Sequence, residues 1–255
     1  MQNSTVRLES SEGIAVVTLD KPPVNAFDLT LINDAESTLR SVETDSETRA
    51  VVITGNGKCF SAGLDLKTVP SYSPAEQRRM VEDLNRTVAW LYGFPLPTVA
   101  AINGHAIAGG FILAITCDYR IGADMPCKLG VTESRVGIPF PVSTMEVLRA
   151  ELAPSIARRM TLVGSCVGPK EALSSGILDE IQTPDTVLNR AKEIAKELGA
   201  MPSEAYMKIK RQLRGHTIAQ MEASIREKND PLLKIWIGEE ARMASAKHLD
   251  PKGRQ

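Results

Sequence analysis

The sequence predicts an α/β fold with a helical C-terminal part, on three observations. Short, continuously apolar runs of strand type, such as residues 14–19 (IAVVTL) and 50–54 (AVVIT), alternate with helical stretches in the first half. From residue 143 onward the chain reads as one helix after another. Two stretches of small residues, around 60–66 and 103–110, each follow an apolar strand and precede helical sequence.

Each element has its own reason. Strand 14–19 ends at Asp20-Lys21-Pro22-Pro23, because proline cannot donate to a ladder. A helix follows over 28–42, where Leu29, Ile32, Leu39 and Val42 recur near helical spacing. Strand 50–54 is turned by Gly55-Asn56-Gly57. The segment 74–92 is helical by pattern and stops at Gly93, ahead of Pro95 and Pro97. Residues 98–103 (TVAAIN) make a third strand, and the apolar FILAITCD that follows the small-residue stretch 104–110 makes a helix. Strand character resumes over 119–123, with a short piece at 128–130. Helices are expected over 143–151, 154–163, 169–175, 185–198, 203–214 and 217–228. In the charged tail beyond them, Leu232, Leu233, Ile235, Trp236 and Ile237 suit packing on a neighbouring subunit. There is no internal repeat and no low-complexity linker, so the chain divides into a core over 1–198 and a helical region over 199–255.

Composition removes several function classes. A net charge of -1 gives no general field for nucleic acid or an anionic membrane, so any anionic ligand needs a local patch. At 255 residues the chain buries a substantial core without staples. Cys59, Cys117, Cys127 and Cys166 form no C-x-x-C pair and read as free thiols, which suits a reducing compartment. His105, His216 and His248 are isolated, so no zinc spacing assembles locally. The opening residues lack an apolar signal region and no run of about 18 apolar residues occurs, so a soluble cytoplasmic protein is expected.

Familiar phosphate and nucleophile motifs fail on inspection. Gly55-Asn56-Gly57-Lys58 has Val52 where a phosphate loop needs its first glycine, and Cys59 where it needs serine or threonine. Phe60 occupies the third glycine position of a dinucleotide fingerprint. No G-x-S-x-G elbow is present, and nothing in the sequence brings His105 to Ser61.

The two small-residue elements carry the chemistry. Phe60-Ser61-Ala62-Gly63-Leu64-Asp65-Leu66 and Asn103-Gly104-His105-Ala106-Ile107-Ala108-Gly109-Gly110 let a ligand approach the backbone and leave N–H groups uncovered. Two such groups aimed at one point make an oxyanion hole. Gly109 and Gly110 also open a helix, whose N-terminus favours a developing anion.

Together these elements resemble the signature of the crotonase (enoyl-CoA hydratase/isomerase) superfamily, from about residue 12 to residue 182. Further matching pieces are Pro22-Pro23-Val24-Asn25-Ala26, Cys117-Asp118-Tyr119-Arg120, Ala123-Asp124, Gly130-Val131-Thr132-Glu133 with Gly137-Ile138, and the region 164–178. The resemblance implies a crotonase-like (ClpP/crotonase) ββα spiral core over 1–198, with 199–255 as a helical trimerisation region. It implies a homotrimer, often paired into a hexamer, acting on an acyl-CoA thioester, with no metal and no cofactor beyond the CoA of the substrate. It also implies that the N–H groups of Leu64 and Gly109 form the oxyanion hole, and that Ala62, Gly63, Leu64, Asp65, Leu66, Gly109 and Thr132 bind substrate. Lys21 and Lys67 are candidates for a CoA phosphate, and Ile112 and Phe140 for the acyl pocket.

The residues that differ from the family's hydratases narrow the reaction. Hydratases resembling this chain use two glutamates, and here the first position is Ile112 while the second is Glu133. An isoleucine neither accepts a proton nor orients water, which favours a one-base proton shuttle. Pro139-Phe140-Pro141-Val142-Ser143-Thr144 replaces the hydratases' Gly-Gly-Thr-Gln-like stretch. The combination is most similar to the mitochondrial type of Δ3,Δ2-enoyl-CoA isomerase, which implies Glu133 as the catalytic acid/base. A hydratase, lyase or hydrolase using Glu133 alone, and a non-catalytic acyl-CoA-binding protein, are the competing readings.

Overall fold

The structure, a computed structural model, describes residues 4–249. Residues 1–3 and 250–255, the outer ends of the two expected regions, lie outside the described residues, as does the His248 side chain.

Two sheets grow side by side. The larger has six strands, ordered β1 (Val6–Ser11), β2 (Ile14–Leu19), β3 (Ala50–Gly55), β5 (Thr98–Ile102), β7 (Tyr119–Ala123) and β10 (Glu180–Gln182). All its pairings are parallel except the β1–β2 hairpin. The smaller is ordered β4 (Cys59–Ser61), β6 (His105–Ile107), β8 (Leu129–Gly130) and β9 (Cys166–Val167). Each of β3, β5 and β7 in the large sheet is followed at once by β4, β6 or β8 in the small one, and then by helix. That repetition is the ββα spiral.

The helices are α1 (Leu29–Thr44), α2 (Pro74–Tyr92), α3 (Gly109–Thr116), α4 (Glu133–Val136), α5 (Val142–Glu151), α6 (Pro154–Val163), α7 (Pro169–Ser174), α8 (Val187–Gly199), α9 (Ser203–Glu227) and α10 (Glu239–Leu249). Strand β3 is buried along its whole length, because both faces of the sheet are covered. Its alternate side chains go to different cores: Val51 and Ile53 join the main cluster, while Ala50 and Val52 pack with Val187, Ala191, Ile194 and Ala195 of α8. Helix α2 opens on a capping box, Ser73 with Glu76, and ends at Gly93.

Several expectations need correction. The strand β1 and the short strands β4, β6, β9 and β10 escape pattern reading, as does the single turn of α4. The two helices expected over 203–214 and 217–228 are one helix, α9, with Gly215 in its interior. A glycine there costs about 1 kcal/mol, and packing carries the helix through it, with Met221 in the main core and Ile218 and Ile225 against it. The Asp118 carboxylate, in the Cys117-Asp118-Tyr119-Arg120 motif, meets Lys210 Nζ at 2.6 Å and Arg214 Nη1 at 3.0 Å. It also accepts from Tyr206 Oη (3.1 Å) and the Thr98 N–H (2.9 Å), so the buried charges are fully partnered.

The C-terminal tail was expected on a neighbouring subunit, and most of it folds onto its own chain instead. Trp236, Ile237 and Ala241 lie in the main core, and Leu232 and Leu233 pack against it, while Ile235 stays exposed. A run with this much apolar surface needs a partner, and the nearest one is intramolecular. The four cysteines are free; three are buried and Cys166 is half-buried. Among the described residues no helix is long and apolar enough to cross a membrane.

Candidate active site

The small sheet explains how residues distant in sequence meet. Strands β4, β6 and β8 are parallel neighbours, so the segments leaving their carboxyl ends emerge side by side. Those segments carry Leu64, Gly109 and Glu133.

The first segment is held tightly around Leu64. Asn25 Nδ2 donates to the carbonyls of Cys59 (2.8 Å) and Phe60 (3.2 Å), and Ser61 Oγ donates to the Asn25 carbonyl at 2.7 Å. The Phe27 N–H donates to the Gly63 carbonyl at 2.7 Å, and the Asp65 N–H to the Phe27 carbonyl at 2.8 Å. Both neighbours of Leu64 are thereby pinned, and among the described residues its own N–H has no protein acceptor. Ala108 turns the second segment with φ 54°, its N–H donating to the Gly130 carbonyl at 2.9 Å. Gly109 then opens α3, where the first N–H of a helix has no partner within it. Gly63, at φ +77°, lets the two turns touch: a Cβ on it would stand 2.7 Å from the Gly109 nitrogen.

Glu133 is the first residue of α4, and its Oε2 accepts the Thr132 N–H at 2.7 Å. Burial pushes its carboxyl up to about 7, while the backbone N–H bonds it accepts pull the other way. The side chain is half-buried, because one side opens on a cavity of about 550 Å³. Ala62, Leu64, Asp65, Leu66, Lys67, Lys21, Gly109, Ile112, Thr132 and Phe140 line the same cavity. Of the expected site residues only Gly63 is missing from the wall, and its part is the close approach just described. Ile112 is 2% exposed, so its side chain is an apolar wall and not a surface accident.

The two lysines are not equivalent. Lys21 Nζ gives its donors to Asp28 Oδ2 (2.7 Å), Asp65 Oδ2 (3.2 Å) and the Ala26 carbonyl (3.1 Å). Lys67 is exposed and carries no ion pair among the described residues, so it is the better placed of the two for a phosphate. Ser61 and His105 do not form a dyad: Ser61 Oγ is committed to Asn25, and His105 Nδ1 accepts the Lys128 N–H.

Sequence reasoning missed the far wall of the cavity. Ile32 and Leu39 of α1, Leu84, Val88 and Leu91 of α2, Leu113 and Thr116 of α3, and Trp236 of the tail contribute to it. The apolar stripes of α1 and α2 were visible as helical periodicity, but a stripe does not say what it faces. Chemically, two free N–H groups, one carboxyl of raised proton affinity and an apolar chamber suit proton transfer next to a carbonyl whose oxygen takes up negative charge.

Comparison with known proteins points the same way. The pattern of the enoyl-CoA hydratase/isomerase family matches residues 9–248. Mouse mitochondrial enoyl-CoA delta isomerase 1 is 32% identical over 256 residues, covering 97% of this chain and 88% of that protein. A putative enoyl-CoA hydratase of Thermus thermophilus is 37% identical over 163 residues, covering 63% of this chain and 64% of that protein. The crystal structure of human mitochondrial Δ3-Δ2-enoyl-CoA isomerase superposes with a TM-score of 0.88 at 28% identity, covering 96% of each chain.

Proposed function

This chain belongs to the enoyl-CoA hydratase/isomerase family, and from that premise we propose that it is an enoyl-CoA isomerase working with one glutamate. One observation carries the reading: Glu133 is the cavity's only carboxyl without an ion pair among the described residues. By the family resemblance Ile112 takes the place of the hydratases' second glutamate, and Asp65, the other carboxylate in the lining, is held by Lys21.

In this mechanism Glu133, as the carboxylate, removes a C2 proton from a 3-enoyl-CoA. The N–H groups of Leu64 and Gly109 stabilise the dienolate oxygen that forms. The carboxylic acid of Glu133 returns its proton at C4, giving the conjugated 2-enoyl-CoA with no atom gained or lost. The apolar side chains of Ile112 and Phe140 limit water at the dienolate. The family resemblance implies a homotrimer or hexamer, and exposed Leu162 and Val163 on α6, with Ile209 and Leu213 on α9, are apolar surface open to such contacts.

The Thermus relative is named a putative hydratase, which favours hydration by Glu133 alone as the second reading. One preparation separates the two. Isomerisation of a 3-enoyl-CoA is expected to exceed hydration of crotonyl-CoA by about 10²-fold, the scale of one missing general acid/base. A preparation that hydrates faster than it isomerises overturns the isomerase reading.

The pH dependence follows from Glu133. The deprotonated form starts the reaction, so kcat/KM for isomerisation is expected to rise with pH and level off above an apparent pKa of about 7. A profile flat from pH 5 to 8 would exclude a buried carboxyl as the base.

A further inference from the structure

Among the described residues, the one part of the cavity wall from beyond residue 198 is Trp236, on a segment fastened at four points. The buried Asp230 carboxylate accepts from Asn85 Nδ2 (2.7 Å) and the Val142 N–H (2.9 Å) on Oδ2, and from the Leu232 N–H (2.9 Å) on Oδ1. The Ile237 N–H donates to Gln77 Oε1 at 3.0 Å. Trp236 Nε1–H donates to the Pro139 carbonyl at 2.9 Å. Ala241 on α10 lies against Gly137, where an added Cβ would stand 3.4 Å from the Ala241 Cα.

Two of these fastenings fall on residues 137–141, the stretch that leaves α4. That stretch caps the helix Glu133 begins: Gly137, at φ +69°, and Ile138 both donate their N–H groups to the Glu133 carbonyl, the second at 3.1 Å. Trp236 itself is 5% exposed and lines the cavity together with Val136, Ile138, Pro139 and Phe140. Pro139, which opens the Pro139-Phe140-Pro141 departure from the hydratase pattern, is thus the residue that the indole N–H holds.

We propose that Trp236 is a positioning residue for Glu133: its indole walls the cavity and, through Pro139, holds the loop that caps the Glu133 helix. The proposal rests on the reading of Glu133 as the acid/base. Removing the indole opens a space beside a polar group, which water fills, and hydration then favours the ionised carboxylate. Among the described residues no charge stands ready to compensate: Lys21 and Asp65 in the cavity wall are paired with each other, and Lys67 is exposed. Arg135 on α4, Arg158 and Arg159 on α6, and Glu239, Glu240 and Arg242 on α10 are all exposed. Cys166 on β9, the titratable neighbour that senses Glu133, is held as a neutral thiol by burial.

The test uses the full chain with glutamate side-chain carboxyls labelled with ¹³C, the Glu133 signal being the one lost in Glu133→Gln. In Trp236→Ala the Glu133 titration is expected to fall by about one pH unit. Turnover of a 3-enoyl-CoA is expected to drop about tenfold through displacement of the carboxyl. Trp236→Phe keeps most of the wall and loses the N–H, so its titration stays nearer that of the wild type and turnover falls less. If Trp236→Ala does not fold, Trp236→Leu is read by the same criterion. A Glu133 titration unchanged in a folded alanine or leucine variant overturns the proposal, even if activity has fallen. Wild-type protein inactive on every 3-enoyl-CoA overturns the isomerase reading instead, and the carboxyl titration still decides the role of Trp236.

Discussion

Glu133→Gln is expected to lower turnover of a 3-enoyl-CoA by about 10²–10⁴-fold while leaving the Kd of the CoA ester essentially unchanged. The amide has the same size and its oxygen still accepts the Thr132 N–H, but it neither takes up a proton at C2 nor returns one at C4. Asp65 cannot stand in, because its carboxylate is paired with Lys21. The same substitution has a stability signature. The Glu133 carboxyl has a folded-state pKa of about 7, raised above its ordinary 4.5, so the folded state binds this proton more tightly than the unfolded state. Its contribution is therefore fully present below pH 4.5 and is lost as pH rises through 7. Above pH 7 the ionised, shielded carboxylate costs on the order of 2–3 kcal/mol, which glutamine does not incur. Glu133→Gln should melt higher than wild type at pH 8 and lose that advantage at pH 4. Turnover within a few-fold of wild type would remove Glu133 from the mechanism, and a Tm difference independent of pH would contradict its burial as a charge.

How much of this was legible in the sequence depended on the length scale of each feature. Residues 14–19 and 50–54 announce themselves as strands because burial on both faces demands an unbroken apolar run. Residues 74–92 announce a helix because the cap, the periodicity and the terminal glycine agree. Strands of two or three residues, such as Cys166–Val167, show no period at all; the neighbours they pair with define them. Helix α9 runs on through Gly215, and the long-range contacts it makes there, Lys210 and Arg214 with Asp118, have no local signature. The site divides in the same way. Its turns were readable because an uncovered N–H needs small residues next to it, whereas Glu133 came only from what the resemblance of the Gly130 element to the family implies. Trp236 was readable as an apolar residue suited to a neighbouring subunit; that it lines the cavity of its own chain is a tertiary fact, carried by Pro139 and Asp230.

Gly63→Ala is expected to cut kcat by about 10²–10³-fold, the cost of losing an oxyanion donor. The added methyl would lie 2.6 Å from the Ala108 Cβ and 2.7 Å from both the Gly109 nitrogen and the Ile107 carbonyl oxygen. Carbon contacts are comfortable only at about 3.5–4.0 Å, so the two turns must separate by roughly an ångström. That movement takes the Leu64 and Gly109 N–H groups out of register with a single oxygen. Gly63 also sits at φ +77°, where a side chain is strained whatever the space, and Gly57 supplies the control for that term. Gly57 has the same φ of +77°, and no atom lies within 4 Å of where its Cβ would be. Gly57→Ala should therefore cost about 1–2 kcal/mol of stability, as left-handed backbone does, and keep full turnover. A CoA thioether, which has no carbonyl oxygen, should bind wild type and Gly63→Ala alike, whereas a thioester should bind the variant more weakly. Equal losses of turnover in the two alanine variants would trace the effect to backbone strain. A loss confined to Gly63→Ala, with thioether binding intact, traces it to the spacing of the two donors.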